Sequence, residues 1–206
     1  MLRNSRSEFG SATIVLHWTI AALILGLTLI GFVMRRTDID PALQFSLYQW
    51  HKSFGFTALG LATLRTAWWL VERSPAPPPG LGALEHIAAR MAHGALIVLA
   101  LAVPLAGWAV ASASTLDIPS FYFNAVVIPH LPLAKSEASE AFWAFVHALL
   151  GYVTLGLVAI HAAAALYHHF IRRDAVLVRM LGFGTRSHHL RTPDAEENDD
   201  PIVERK

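Results

Sequence analysis

Four long apolar stretches, at residues 12–33, 54–71, 88–113 and 141–171, constrain this 206-residue chain more than any other feature. Crossing about 30 Å of hydrocarbon takes roughly 20 residues at the 1.5 Å rise of an α-helix, and each stretch comes near that length. The sequence therefore predicts an all-α, membrane-embedded four-helix bundle. Composition agrees, with 54% hydrophobic and only 15% charged residues where a soluble domain carries roughly 25% charged. The first stretch ends at Arg35-Arg36 without a small-residue cleavage site, so it reads as a retained span rather than a removed signal.

Basic residues orient the spans, because cytoplasmic segments collect Lys and Arg. Twelve of the sixteen fall in the N-terminal segment, the second connection with its flanks, and the tail, while Arg35, Arg36, Lys52 and Lys135 fall on the other side. Both termini are predicted cytoplasmic. The inner connection holds Pro75, Pro77, Pro78, Pro79 and Gly80, a stiff polyproline-like return. The long outer connection, 112–140, is predicted to lie along the interface as a cap. Residues 1–182 form one predicted domain, and 183–206 a polar, disordered tail. A formal charge of +1 lacks the cationic excess of a nucleic-acid binder.

Cysteine is absent, which excludes disulfides, zinc-thiolate and iron–sulfur sites, and thioether-linked haem. Histidine is abundant, at eleven. An ionisable side chain inside a bilayer costs free energy and marks a functional hypothesis. His17 lies roughly 7 Å into the first span from its inner side, and His161 shares that level near the inner end of the fourth. On the outer side, His51 opens the second span and His147 lies in the first two turns of the fourth. His147 and His161 are 14 residues apart, about 21 Å along one helix and about 40° around it. One helix can thus serve two stacked centres, with spans one and two completing each pair. Zinc and copper sites want three or four protein ligands, whereas paired His from different helices suit haem iron. The residue one turn after each of the four is small: Ala21, Gly55, Gly151 and Ala165.

Several motifs then carry a family resemblance. They are Leu16-His17-Trp18, His51-Lys52-Ser53-Phe54-Gly55 with Arg65, His93 with Pro104-Leu-Ala-Gly107-Trp108, and His161-Ala-Ala-Ala-Ala-Leu-Tyr-His168-His169-Phe followed by Arg172-Arg173-Asp174. In this order, over roughly residues 11–181, the chain resembles the prokaryotic cytochrome b561 family. The resemblance implies a four-helix dihaem cytochrome of the bacterial inner membrane that exchanges electrons with quinone. It makes His51 and His147 ligands of an outer haem b, and His17 and His161 ligands of an inner one, the pairing that depth also predicts.

The remaining polar residues divide by level. Arg65, 14 residues after His51, drops to the inner level and suits a haem propionate; Lys52 is a second propionate candidate, with snorkelling to headgroups as its plainer role. His93, His168 and Arg172 are candidates for an inner quinone site, His168 because it faces the bundle interior one level below His161. His86, His130, His188 and His189 read as polar loop or tail residues, and His169 as headgroup-facing.

Two His per iron leave no open coordination position, which favours electron transfer over bond chemistry. Together with the resemblance, the sequence reads as an oxidoreductase carrying electrons from an outer small-molecule or protein donor to quinone; the resemblance implies superoxide as a donor. Superoxide is a small anion suited to approach by Lys52 and His130. Two other readings also fit four spans: a haem-bearing anchor subunit of a larger dehydrogenase, and a His-lined transporter of metal or protons. The transporter expects acidic residues within the spans, and none lies there.

Overall fold

The computed structural model describes residues 1–36, 38–72, 75–76 and 82–182. The predicted tail, with His188 and His189, and the Pro77–Pro79 run lie outside them. The described chain forms α1 (Ser11–Met34), α2 (Pro41–Val71), α3 (Ala83–Ala113), a hairpin of β1 (Ser120–Tyr122) and β2 (Val126–Ile128), and α4 (Glu137–Tyr167). A π-helical turn (His168–Arg172) and a short α5 (Val176–Met180) follow.

Among the described residues three helices are long and apolar enough to cross a membrane: α1, α3, and α4 with its π-helical turn. The helix α2 has the length, at 31 residues, but Gln44, Gln49, His51, Lys52 and Arg65 break its apolarity. It also begins well before the stretch at 54–71 that the sequence singled out. Its start is locally encoded: Asp40 accepts from the N–H groups of Ala42 and Leu43, both at 3.0 Å, and Pro41 takes the first helical position.

Helix α1 is capped differently. The N-terminal segment folds back so that the N–H groups of Ser11 and Ala12 donate to the carbonyls of Met1 and Leu2. A Cβ on Gly10 would stand 2.3 Å from the Leu2 carbonyl, so only glycine permits that approach.

Packing is pairwise. Helix α1 lies on α2, α3 lies on α4, and α2 joins the pairs by touching α3. Helix α4 has no comparable backbone contact with α1 or α2, and across that wider separation the histidines meet.

The two ends differ in construction. At one end, the α3–α4 connection carries the hairpin, a small addition to a mostly helical chain. Its turn puts Phe123 and Asn124 in the left-handed region (φ 49° and 57°), a conformation costly for a bulky residue. Phe123 is held there by Trp50 and Phe54 of α2, with ring centres 5.8 and 5.3 Å away. Ser53 Oγ accepts from Phe123 N–H at 3.1 Å and lies 3.0 Å from the Phe121 carbonyl. Fully buried Ser112 accepts from Leu131 N–H at 2.9 Å, and Trp108 donates to the Pro129 carbonyl at 3.0 Å. At the other end the N-terminal segment, Glu72, Ala76 and α5 form a collar. Arg3 pairs with Glu72 at 2.6 Å, Arg179 donates to the Ala76 carbonyl at 3.0 Å, and Trp18 donates to that of Met180 at 2.8 Å.

Candidate functional site

Helix α4 carries His147 toward the hairpin end and His161 toward the collar end, and each meets a histidine from the α1/α2 pair. The ring centres of His51 and His147 lie 6.1 Å apart, and those of His17 and His161 lie 6.3 Å apart. Imidazole nitrogen binds a metal such as zinc at about 2.0–2.1 Å, and with the ring centre about 1.1 Å behind that nitrogen, two rings trans on one metal stand about 6.3 Å apart. Both pairs have that spacing. His93 of α3 lies nearer His161, at 5.2 Å, which suits direct ring contact and is too short for a metal in line between them.

At the hairpin end, His147 Nδ1 donates to the Val103 carbonyl at 2.9 Å, which fixes the tautomer and leaves Nε2 as the free lone pair. That carbonyl lies on α3 just before Pro104. Gly107, one turn on, gives the ring its place: a Cβ there would stand 3.0 Å from His147 Cε1 and 3.3 Å from Nδ1. A Cβ on Gly55 or Gly151, one turn after His51 and His147, would meet no heavy atom within 4 Å. That leaves open space one turn after each of these two histidines.

At the collar end, Arg65 lies close enough to His17, His93 and His161 for its charge to act on all three. Among the described residues no carboxylate pairs with it. A guanidinium in an apolar interior calls for an anion, and a haem propionate supplies one. Among the described residues no three His, Asp or Glu converge on a common ion site. The pairs therefore fit a metal whose remaining ligands come from a macrocycle, and a bis-histidine b-type haem meets that requirement at each level.

The other residues singled out by sequence are engaged in ways the sequence did not indicate. Lys52 Nζ donates to the Pro119 carbonyl at 3.3 Å, tying the hairpin connection to α2. His130 is more than a polar loop residue: its Nδ1 lies 3.2 Å from Asp117 Oδ1, which Lys135 also engages. The hydrogen bond and charge of Lys135, with a smaller contribution from His130, hold the exposed Asp117 carboxyl below its ordinary range.

At the collar end, Arg172 Nη1 pairs with Glu85 Oε1 at 3.3 Å, across from α4 to α3. His168 Nδ1 lies 2.5 Å from Asp174 Oδ2. Burial alone would raise the Asp174 carboxyl, but the hydrogen bonds from His168 and Val176 N–H outweigh it and hold the group below its ordinary range. Sequence reasoning carried Asp174 and Gly107 in its motifs without their roles, as partner of His168 and seat of His147, and missed the Val103 carbonyl. Asp174 had a signal, an acid six residues after a histidine across a helix end, while a carbonyl acceptor has none.

A family model for prokaryotic cytochrome b561 matches residues 8–183, which take in every histidine placed above. "Cytochrome b561 homolog 2" of Escherichia coli K12 is 28% identical over 180 residues, covering 87% of this chain and 94% of that protein. "Probable superoxide oxidase CybB" of Yersinia pestis is 26% identical over 184 residues, covering 84% and 96%. "Cytochrome b561 homolog 1" of Escherichia coli K12 is 28% identical over 178 residues, covering 85% and 97%.

Proposed function

The chain belongs to the prokaryotic cytochrome b561 family, membrane haem proteins of transmembrane electron transfer, and from that premise we propose that it holds two b-type haems and moves electrons from a donor at the hairpin end to quinone at the collar end. The observation that carries this reading is the presence of two imidazole pairs, at 6.1 and 6.3 Å, on levels about 21 Å apart along α4. In this reading residues 1–182 are one domain of four spans, α2 included, in the bacterial inner membrane. The collar and both termini face the cytoplasm, and the hairpin faces outward, as the distribution of Arg and Lys favours.

A bound haem would supply a one-electron couple. The protein's part is placement. His51 and His147 hold the outer group, with the Val103 carbonyl fixing the His147 ring; His17 and His161 hold the inner one, with Arg65 facing its propionates. Lys52 is the outer propionate candidate. His93, in contact with His161, is available to a propionate or to quinone, and His168 and Arg172 lie at the collar end where quinone takes up protons.

The donor in this reading is superoxide, the substrate class in the name of the Yersinia pestis relative. Two superoxide anions give up one electron each and leave as dioxygen, and quinone takes those two electrons with two protons to become quinol. Lys52 and Lys135 lie at the end where an anion would approach. Counting iron and acid-extractable haem per purified chain tests the two-centre reading: two extractable haems are expected, and one per chain, or haem that resists extraction, overturns it.

A further inference from the structure

We propose that Asp174 is the positioning residue of a proton relay, holding His168 so that the imidazole delivers protons to quinone; this rests on the collar-end quinone site proposed above. The pair is built by the backbone. After α4 the chain makes one π-helical turn over His168–Arg172, and Arg173 then takes a left-handed conformation at φ 53°. The N–H groups of Arg173 and Asp174 both donate to the His168 carbonyl, Asp174 at 3.1 Å. This reversal brings a carboxylate back to an imidazole six residues earlier. Single π-turns are rare and recur at functional sites.

The contact has the form of an oriented acid–base pair. His168 Nδ1 and Asp174 Oδ2 are 2.5 Å apart, with side chains only 15% and 19% exposed. The second carboxylate oxygen accepts from Val176 N–H at 3.0 Å, so the start of α5 holds the acid in place. Arg172 lies near enough to act on Asp174 and is itself paired with Glu85, and the Tyr167 ring lies 5.9 Å from that of His168.

With Nδ1–H committed to the carboxylate, Nε2 is the nitrogen left to meet a substrate oxygen. Protonated His168 gives its Nε2 proton to a quinone oxygen and becomes the neutral Nδ1–H tautomer, still donating to Asp174. Water at the collar end reloads Nε2. Two such deliveries match the two electrons of quinone reduction. His168 is seven residues beyond His161, about 10 Å along the helix, which puts proton and electron delivery at the same end. A third group orienting a base is a recurrent device in proton-transfer sites.

The test is stopped-flow reoxidation of the reduced holoprotein by a soluble short-chain ubiquinone, in wild type, Asp174→Asn, Asp174→Glu and His168→Ala. Asp174→Asn is expected to keep both haem spectra and half-saturation by quinone, lower the limiting rate about tenfold or more, and raise the solvent deuterium isotope effect. Asp174→Glu restores most of the rate, and added imidazole restores it in His168→Ala. A wild-type rate in Asp174→Asn with a slow His168→Ala overturns the relay and leaves the quinone site standing. Wild-type rates in both variants overturn the collar-end site as well. Loss of haem or of quinone affinity in step with the rate, without the isotope effect, makes Asp174 structural and also overturns the relay.

Discussion

The two histidine levels have nearly the same ring spacing, yet their surroundings are built on opposite principles. Around His147 the protein fixes what it can: a carbonyl orients the ring, a glycine seats it, and buried Ser53 and Ser112 pin the hairpin and the segment after it, while His51 Nδ1 stays buried without a hydrogen-bond partner among the described residues. Around His17 and His161, among the described residues, no hydrogen bond holds either imidazole. A second histidine and an arginine crowd them instead. The hairpin level is a histidine pair with one ring fixed, under a lid. The collar level is a polar cluster with groups to spare for anions and protons. Such an asymmetry suits the proposed wire, in which the hairpin end would only hand on electrons and the collar end would also move protons.

The strongest attack on the comparison removes one level at a time. His161→Ala is expected to abolish the inner haem and leave the outer, halving extractable haem, and His147→Ala to do the reverse, since the pairs share a helix and no ligand. Haem counts with low-temperature spectra check both. If either change removed both haems from folded, inserted protein, the two levels would be one cooperative site.

A subtler pair of variants sharpens the claim that the His147 ring is the fixed one. Gly107→Ala pushes a methyl to 3.0 Å from the His147 ring, while Gly31→Ala meets His51 Cε1 at an ordinary 3.6 Å. Overpacking of this kind costs about 1–3 kcal/mol, so Gly107→Ala should weaken outer-haem binding about tenfold or more, and Gly31→Ala should leave it nearly unchanged. Haem-transfer titration to apomyoglobin measures both. Equal effects would mean that the ring is free to shift.

Arg65 probes the other level. Arg65→Leu removes a cation beside the inner pair, which favours oxidised iron. The inner midpoint potential should fall by about 60–120 mV, one to two tenfold steps for a one-electron couple, and the outer one should stay. Potentiometric titration resolves the two. A shift shared by both haems would break the assignment of Arg65 to one level.

Much of this architecture was legible because the bilayer makes it so. Length, apolarity and the cost of burying imidazole singled out four histidines and their depths, and 14-residue spacing on one helix needs only helix geometry. The rest depends on contacts without a local signature. The lid escaped because three-residue strands are too short to show alternation, and its turn places a phenylalanine where asparagine or glycine is usual. The role of Asp174 escaped because extrapolating around a helix fails where the helix becomes a π-turn and reverses. Asp40-Pro41 did announce the start of α2, but hydropathy alone drew attention to residue 54.

The smallest expected effect separates the two ends by acid and salt. Asp117 at the hairpin end and Asp174 at the collar end both have carboxyls held below their ordinary range. A depressed carboxyl stabilises the folded state above its unfolded value of about 3.9, and that contribution is lost as pH falls through the lower folded value. The contribution of each carboxylate should therefore be lost only below about pH 4. Their sensitivity to salt should differ. Asp117 is exposed and meets Lys135 and His130 directly at a water-facing site, so screening at about 1 M salt should weaken its contribution. Asp174 is shielded with His168, so its contribution should persist. Hydrogen exchange of the Ser120–Ile128 hairpin and of Val176–Met180, corrected for intrinsic rates between pH 6 and 3 at low and high salt, reads the two ends separately. Asp117→Asn should remove the hairpin's acid step and leave the collar's. An acid step that survives salt undiminished at the hairpin, or vanishes with it at the collar, would reverse which end holds its charges out of water.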